Sequence, residues 1–130
     1  MSAVGLAGGD AALLFGSRNQ IDFVVDNETD YELKAESTVF ADWGDFSRYP
    51  STVHPLSEGC GGHVMSSHSP FTGSAGMVGY KISTSSGSLW LRFLGSNPYL
   101  SVRSNWAYVD IFTWDKSIDQ DSYNDLYNKE

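Results

Sequence analysis

Residues 105–114, NWAYVDIFTW, alternate so regularly that an extended strand puts Ala107, Val109 and Ile111 on one face and Trp106, Tyr108, Asp110 and Phe112 on the other. Both faces are largely apolar, so such a strand needs cover on both sides. The run LWLRFL at 89–94 has the same character. A chain with two such runs is committed to a sheet that has a packed layer above and below it. The connection between them, GSNPYLSVRSNW at 95–106, carries Pro98, Tyr99, Leu100, Val102 and Trp106. Hairpin connections are usually short and polar, so apolar groups here suggest a loop that borders something.

The other segments fit the same class. A strand is expected over 19–26, followed by a turn at NETD, 27–30, which includes an Asn-x-Thr sequon at Asn27. Residues 31–40 read as a half-buried strand, with Tyr31, Leu33, Ala35 and Val39 on one face and charged or polar groups opposite. The stretch 41–62 reads as turn-rich, with at most one weak strand, and 63–69 as another strand. A glycine-bearing strand over 73–83 ends in a tight turn at TSSGS, 84–88. One helix is expected last, capped by Ser117 with Gln120 three residues on, with Asp119 and Asp121 in its first turn. Tyr123 and Tyr127 then share one face. Residues 1–17 read as a short N-terminal tail or abbreviated helix with Asp10 as cap, and 18–130 as one domain. The expected fold is mainly β, a single β-sandwich with a flanking C-terminal helix.

Charge and composition remove several function classes. A net charge of −8 argues against nucleic acid and against an anionic membrane surface, but not against a zwitterionic one. The lone Cys60 permits no intrachain disulfide, no basic n-region marks a signal peptide, and no apolar run approaches the ~20 residues of a spanning helix. His54, His63 and His68 with Cys60 match no compact zinc spacing, so no metal or cofactor is expected. Cys60 and His63 lack the strand–turn–helix frame of a nucleophile, and Asp119 and Asp121 point apart. The chain is therefore read as a binding protein without enzymatic activity.

Five segments then carry a resemblance: VDNET at 25–29, TGSAGMVGY at 72–80, SNPY at 96–99, SNWAYVDIF at 104–112 and DQDSYNDLY at 119–127. Each is weak alone, but in this order and spacing they resemble the actinoporins and actinoporin-like proteins over roughly residues 18–128. The resemblance implies a β-sandwich that binds phosphocholine lipid, typically sphingomyelin, from a secreted protein acting at a target cell membrane. It also implies insertion of an amphipathic N-terminal helix and assembly into a cation-permeable pore. It assigns the headgroup pocket to Ser96, Pro98, Tyr123 and Tyr127, with Ala75 and Asp42 on its rim. Tyr99, Leu100, Val102, Arg103 and Trp106 become the membrane-facing set.

The departures are specific. Ala75 stands for the family's pocket valine, Ala41 and Asp42 fall near its phosphocholine-site arginine and serine, and Asn128 replaces its third helix tyrosine. The family continues into further strands where this sequence stops at Glu130, which would leave an edge open for a homo-oligomer. By spacing alone, Tyr123 and Tyr127 equally suit packing of the helix on the sheet, and Ser96 and Pro98 suit a turn. Trp43 and Phe46, beside Gly44, read either as loop residues or as a second membrane-facing tip. The alternative function is a non-lytic, lectin-like module that binds a glycan or a protein partner on the same scaffold.

Overall fold

One of the two doubly apolar runs, 89–94, lies in a long hairpin, and the other pairs alongside it over 106–112. In the computed structural model, which describes residues 2–6, 9–15, 20–65, 73–97 and 106–128, β8 (Ser74–Thr84) pairs along its whole length with β9 (Gly87–Asn97). A two-residue turn, Ser85 and Ser86, joins them. Gly87 has φ +133°, a value that favours glycine, and the Thr84 hydroxyl donates to its carbonyl at 2.7 Å. β10 (Trp106–Phe112) pairs with the far side of β9. Two shorter strands, β4 (Lys34–Ala35) and β5 (Phe40–Trp43), pair with β8.

A second antiparallel sheet has the order β1 (Ser2–Leu6), β2 (Gly9–Phe15), β3 (Gln20–Asn27), β7 (Ser57–Met65), β6 (Asp45–Arg48). β3 alternates strictly, burying Ile21, Phe23 and Val25. These pack with Val64 of β7 against Val78 and Tyr80 of β8 and Leu91 and Phe93 of β9. The other face of β8–β9 carries Ala75, Met77 and Leu94, which pack with Phe112 under Tyr123 and Leu126 of α1 (Gln120–Tyr127). The layers are thus sheet, sheet, helix, as double-sided hydrophobicity demands. The fold class is mainly β, with two antiparallel sheets and a short C-terminal helix.

One charged group sits in this outer layer. Arg92 of β9 is 1% exposed and ties the strand to the segment that precedes α1. Its Nε donates to the Lys116 carbonyl at 2.8 Å, Nη1 to the Leu91 carbonyl at 2.9 Å and Nη2 to Asp115 Oδ1 at 3.1 Å. Glu36 Oε1 lies 3.6 Å from Nη2. Burial pulls the guanidinium pKa down, and the Glu36 and Asp115 carboxylates oppose that. Gly79, directly opposite Arg92 on β8, makes room: a Cβ there would run into Nη1 and lie 2.7 Å from Ile118 Cδ1.

Several expectations are corrected. Residues 2–6 and 9–15 are neither a tail nor a helix: β2 pairs with β3 through Phe15↔Ile21, and β1 pairs with β2. β3 is flanked by strands on both sides, so its backbone groups on the β2 side are used by this hairpin. The expected strand over 31–40 breaks up. Leu33 forms an isolated bridge with Val53, Glu36 N–H donates to the Gly79 carbonyl at 2.9 Å, and Tyr31 is exposed. The turn-rich 41–62 holds most of β5, all of β6 and the start of β7. Gly59 and Gly61 there belong to strand packing: a Cβ on Gly61 would come within 2.8 Å of Phe23 Cβ and 2.9 Å of the Phe23 carbonyl oxygen. The helix cap is Asp119, whose Oδ1 accepts from Ser122 N–H at 2.9 Å, and not Ser117, whose hydroxyl pairs with that of Ser122 at 2.6 Å. Asn27 of the sequon is fully buried, its amide donating to the Tyr31 and His54 carbonyls at 2.6 and 3.1 Å, so it organises the turn. Residues 66–69 of the strand expected at 63–69 lie outside the described residues.

Gly61→Ala should lower stability by about 1–3 kcal/mol, because the new methyl meets backbone and a core side chain. A shift of the urea midpoint at unchanged slope checks it.

Candidate functional site

The outer face of the β8–β9 sheet is ruled by its register. At one end, Trp43 of β5, Ala75 of β8, Ser96 of β9 and Trp106 of β10 stand side by side in one cross-strand row. The β5–β8 register shifts between Ala41 and Trp43, so Asp42 is the extra residue of a bulge. α1 crosses this end and brings Tyr123 and Tyr127 onto it.

The contacts are close. Tyr123 stacks on Tyr127, with ring centroids 5.7 Å apart and planes at 26°, and lies 5.5 Å from Phe40. The Tyr123 phenol lies beside the Ser96 hydroxyl. Tyr123 is 2% exposed and Ser96 1% exposed. Burial pushes the Tyr123 phenol pKa well above its ordinary value, and the neighbouring Asp42 carboxylate and Tyr127 push the same way, while the Ser96 hydroxyl opposes them. The phenol stays protonated as a neutral hydrogen-bonding group. Asp42 and Tyr127 are only half-buried, and Trp43 is 36% exposed.

Five residues assigned to a headgroup pocket thus gather from four elements: Asp42, Ala75, Ser96, Tyr123 and Tyr127. Their layering differs from the expectation in one respect. Ala75 is fully buried mid-strand, so it belongs to the floor with Ser96 and Tyr123 and not to the rim. Asp42, Trp43 and Tyr127 form the reachable edge. The Trp106 backbone pairs with Ser96. Pro98, Tyr99, Leu100, Val102 and Arg103 lie outside the described residues.

Trp43 is the residue that sequence reasoning left unplaced. Gly44, at φ +88°, sends the chain from β5 in one sheet to β6 in the other, so Trp43 and Phe46 part company. Phe46 is half-buried against the inner core and cannot be a tip. The Trp43–Gly44–Asp45 step was the available signal, but only the bulge fixes which face Trp43 takes.

Such an arrangement can hold a cation. Stacked phenol rings present negative π-faces, a carboxylate stands beside them, and buried hydroxyls supply hydrogen bonds. Elsewhere, His63 takes Gln20 Oε1 and Ser47 Oγ at 2.9 Å each, and no group of three or more potential metal-binding side chains converges among the described residues. A cleft of about 350 Å³ beside Arg92 is lined by Glu36, Thr38, Asp115 and residues 116–118; its charges are paired. No helix among the described residues is long and apolar enough to cross a membrane. No protein-family model matches the chain, and no curated protein matches it.

Tyr123→Phe should cost about 1–3 kcal/mol by removing a buried phenol hydroxyl from the polar neighbourhood of Ser96. Tyr80, also buried, has its phenol pKa raised, first by burial and then by Cys60. Groups raised in the folded state give stability that is complete below the unfolded value and lost as pH rises toward the folded one. Stability should therefore hold below about pH 10 and fall above it, less steeply in Tyr123→Phe. Urea titrations at stepped alkaline pH measure both.

Proposed function

We propose that this protein recognises the phosphocholine headgroup at the tyrosine end of its outer face, on an actinoporin-like β-sandwich. The observation that carries the reading is the meeting of Asp42, Ser96, Tyr123 and Tyr127, drawn from a bulge, a strand and a helix. The trimethylammonium would lie against Tyr127, with Asp42 beside it, and Trp43 would border the acyl region. The buried Tyr123 and Ser96 form the floor beneath Tyr127, and the phosphate would stay on the solvent side. The function is binding without turnover, by a protein that acts outside the cell at a target membrane. A charge of −8 favours zwitterionic over anionic lipid.

The non-lytic version of this reading has its own support. Residues 2–6 and 9–15, which the resemblance would place in an inserting helix, are sheet strands, and a pore would require them to leave β3. A glycan on the same surface is the second reading; hydroxyl groups there would favour it, and it predicts no preference for choline lipid.

Co-sedimentation with phosphatidylcholine vesicles, with and without sphingomyelin and loaded with calcein, tests both. Binding with the dye retained is the expected result, and Tyr127→Ala should weaken it by about 2- to 30-fold, the equivalent of ~0.5–2 kcal/mol. Leakage would assign pore formation to the N-terminal strands. Absence of binding to either vesicle would end the headgroup reading and make a glycan array the next assay.

A further inference from the structure

Among the described residues β10 is the edge of its sheet, and its apolar and polar positions mirror each other about Val109. Reading outward from Val109, WAYVDIF sets Tyr108 against Asp110, Ala107 against Ile111 and Trp106 against Phe112. Ile111 N–H donates to Asp110 Oδ1 at 2.9 Å, where the carbonyl of a neighbouring strand would otherwise sit. That N–H therefore points away from β9. Alternation in an antiparallel ladder then turns the backbone groups of Ala107, Val109 and Ile111 outward. β1 of the other sheet comes near β10, but among the described residues it pairs with β2 alone. Ile111 and Trp114 leave 39% and 57% of their surface exposed beside this edge.

We propose that a second copy of this chain docks on β10, antiparallel and centred on Val109. Two backbone hydrogen bonds form at each outward pair, Val109 with Val109 and Ala107 with Ile111 in both senses. The pair between them, where side chains come closest, is Tyr108 with Asp110. Asp110 now accepts from its own Tyr108 hydroxyl at 3.3 Å and caps its own strand. In the dimer it exchanges these for Tyr108 of the second copy, and the Ile111 amide takes a carbonyl.

The composition selects this centre. Centring on Asp110 would oppose two carboxylates, and centring on Ile111 would set each Asp110 against Phe112, which gives it no hydrogen bond. Centring on Val109 sets Tyr108 and Asp110 of each copy against a partner of opposite hydrogen-bonding sense. The contact is isologous, so it closes at two copies. Its two-fold axis stands perpendicular to the sheet, which places both α1 helices and both tyrosine sites on the same side. If the headgroup reading holds, that side is a bivalent lipid-facing surface; the dimer itself does not depend on that reading.

Light scattering without lipid, in 0.15 M salt up to ~200 µM, reads the oligomer directly. The expected mass rises from 14.3 kDa toward twice that with concentration. Amide exchange by NMR on the same wild-type samples should slow at Ala107 and Val109 and stay unchanged at Tyr108 and Asp110, whose amides face β9. Val109→Pro removes an outward donor without touching the β9 ladder and should remain monomeric with native circular dichroism. A wild-type mass that stays at the monomer value, or a dimer whose Ala107 and Val109 amides exchange as in the monomer, overturns the proposal.

Discussion

The β8–β9 ladder is buried on both faces, and the rest of the molecule is arranged to cover it. Val78, Tyr80, Leu91 and Phe93 turn one way, and Ala75, Met77 and Leu94 turn the other. A strand pair of this kind cannot exist in water alone, since each face would expose a continuous apolar strip. The first face draws in β3 and β7. The second needs α1, and the site exists because α1 is there.

A helix of eight residues has little stability of its own, so packing and its tether must hold it. Leu126 and Tyr123 supply the packing. The tether is Arg92, whose buried guanidinium fixes the Lys116 carbonyl and Asp115 just before the helix starts. A buried charge left without partners is costly, so the 115–118 segment is held to one path across the sheet. Gly79 completes the device by leaving space opposite. The tyrosine pair therefore reaches Ser96 and Asp42 because of an ion pair that takes no part in the site. Among the described residues the same sheet ends in β10, where Asp110 accepts from the Ile111 N–H next to it.

Legibility followed the range of the interaction. β3, β8, β9 and β10 were readable because period-two alternation is local and strong. The i, i+4 pairing of Tyr123 and Tyr127 was readable for the same reason. The strands around Gly59, Gly61 and Gly62 were not. Glycine signals turns locally, and the reason for glycine here, the approach of Phe23 and Val53, comes from distant parts of the chain. The helix start moved from Ser117 to Asp119 because the Asp119 carboxylate takes the Ser122 N–H while Arg92 holds the Lys116 carbonyl outside the helix. The N-terminal residues looked like a tail because small apolar residues carry no period; a partner strand gave them one.

The sequence by itself determined the class, mainly β with a terminal helix, and named the residue types at the site. It did so because side-chain alternation and helical spacing are properties of neighbours along the chain. The tertiary structure decided that Ser96 and Ala75 are floor while Trp43 is edge, that Asp42 leaves the ladder at a bulge, and that Asn27 is an internal turn organiser. Those outcomes depend on which strand lies beside which and at what register, and a shift of one residue would turn every one of these side chains to the opposite face.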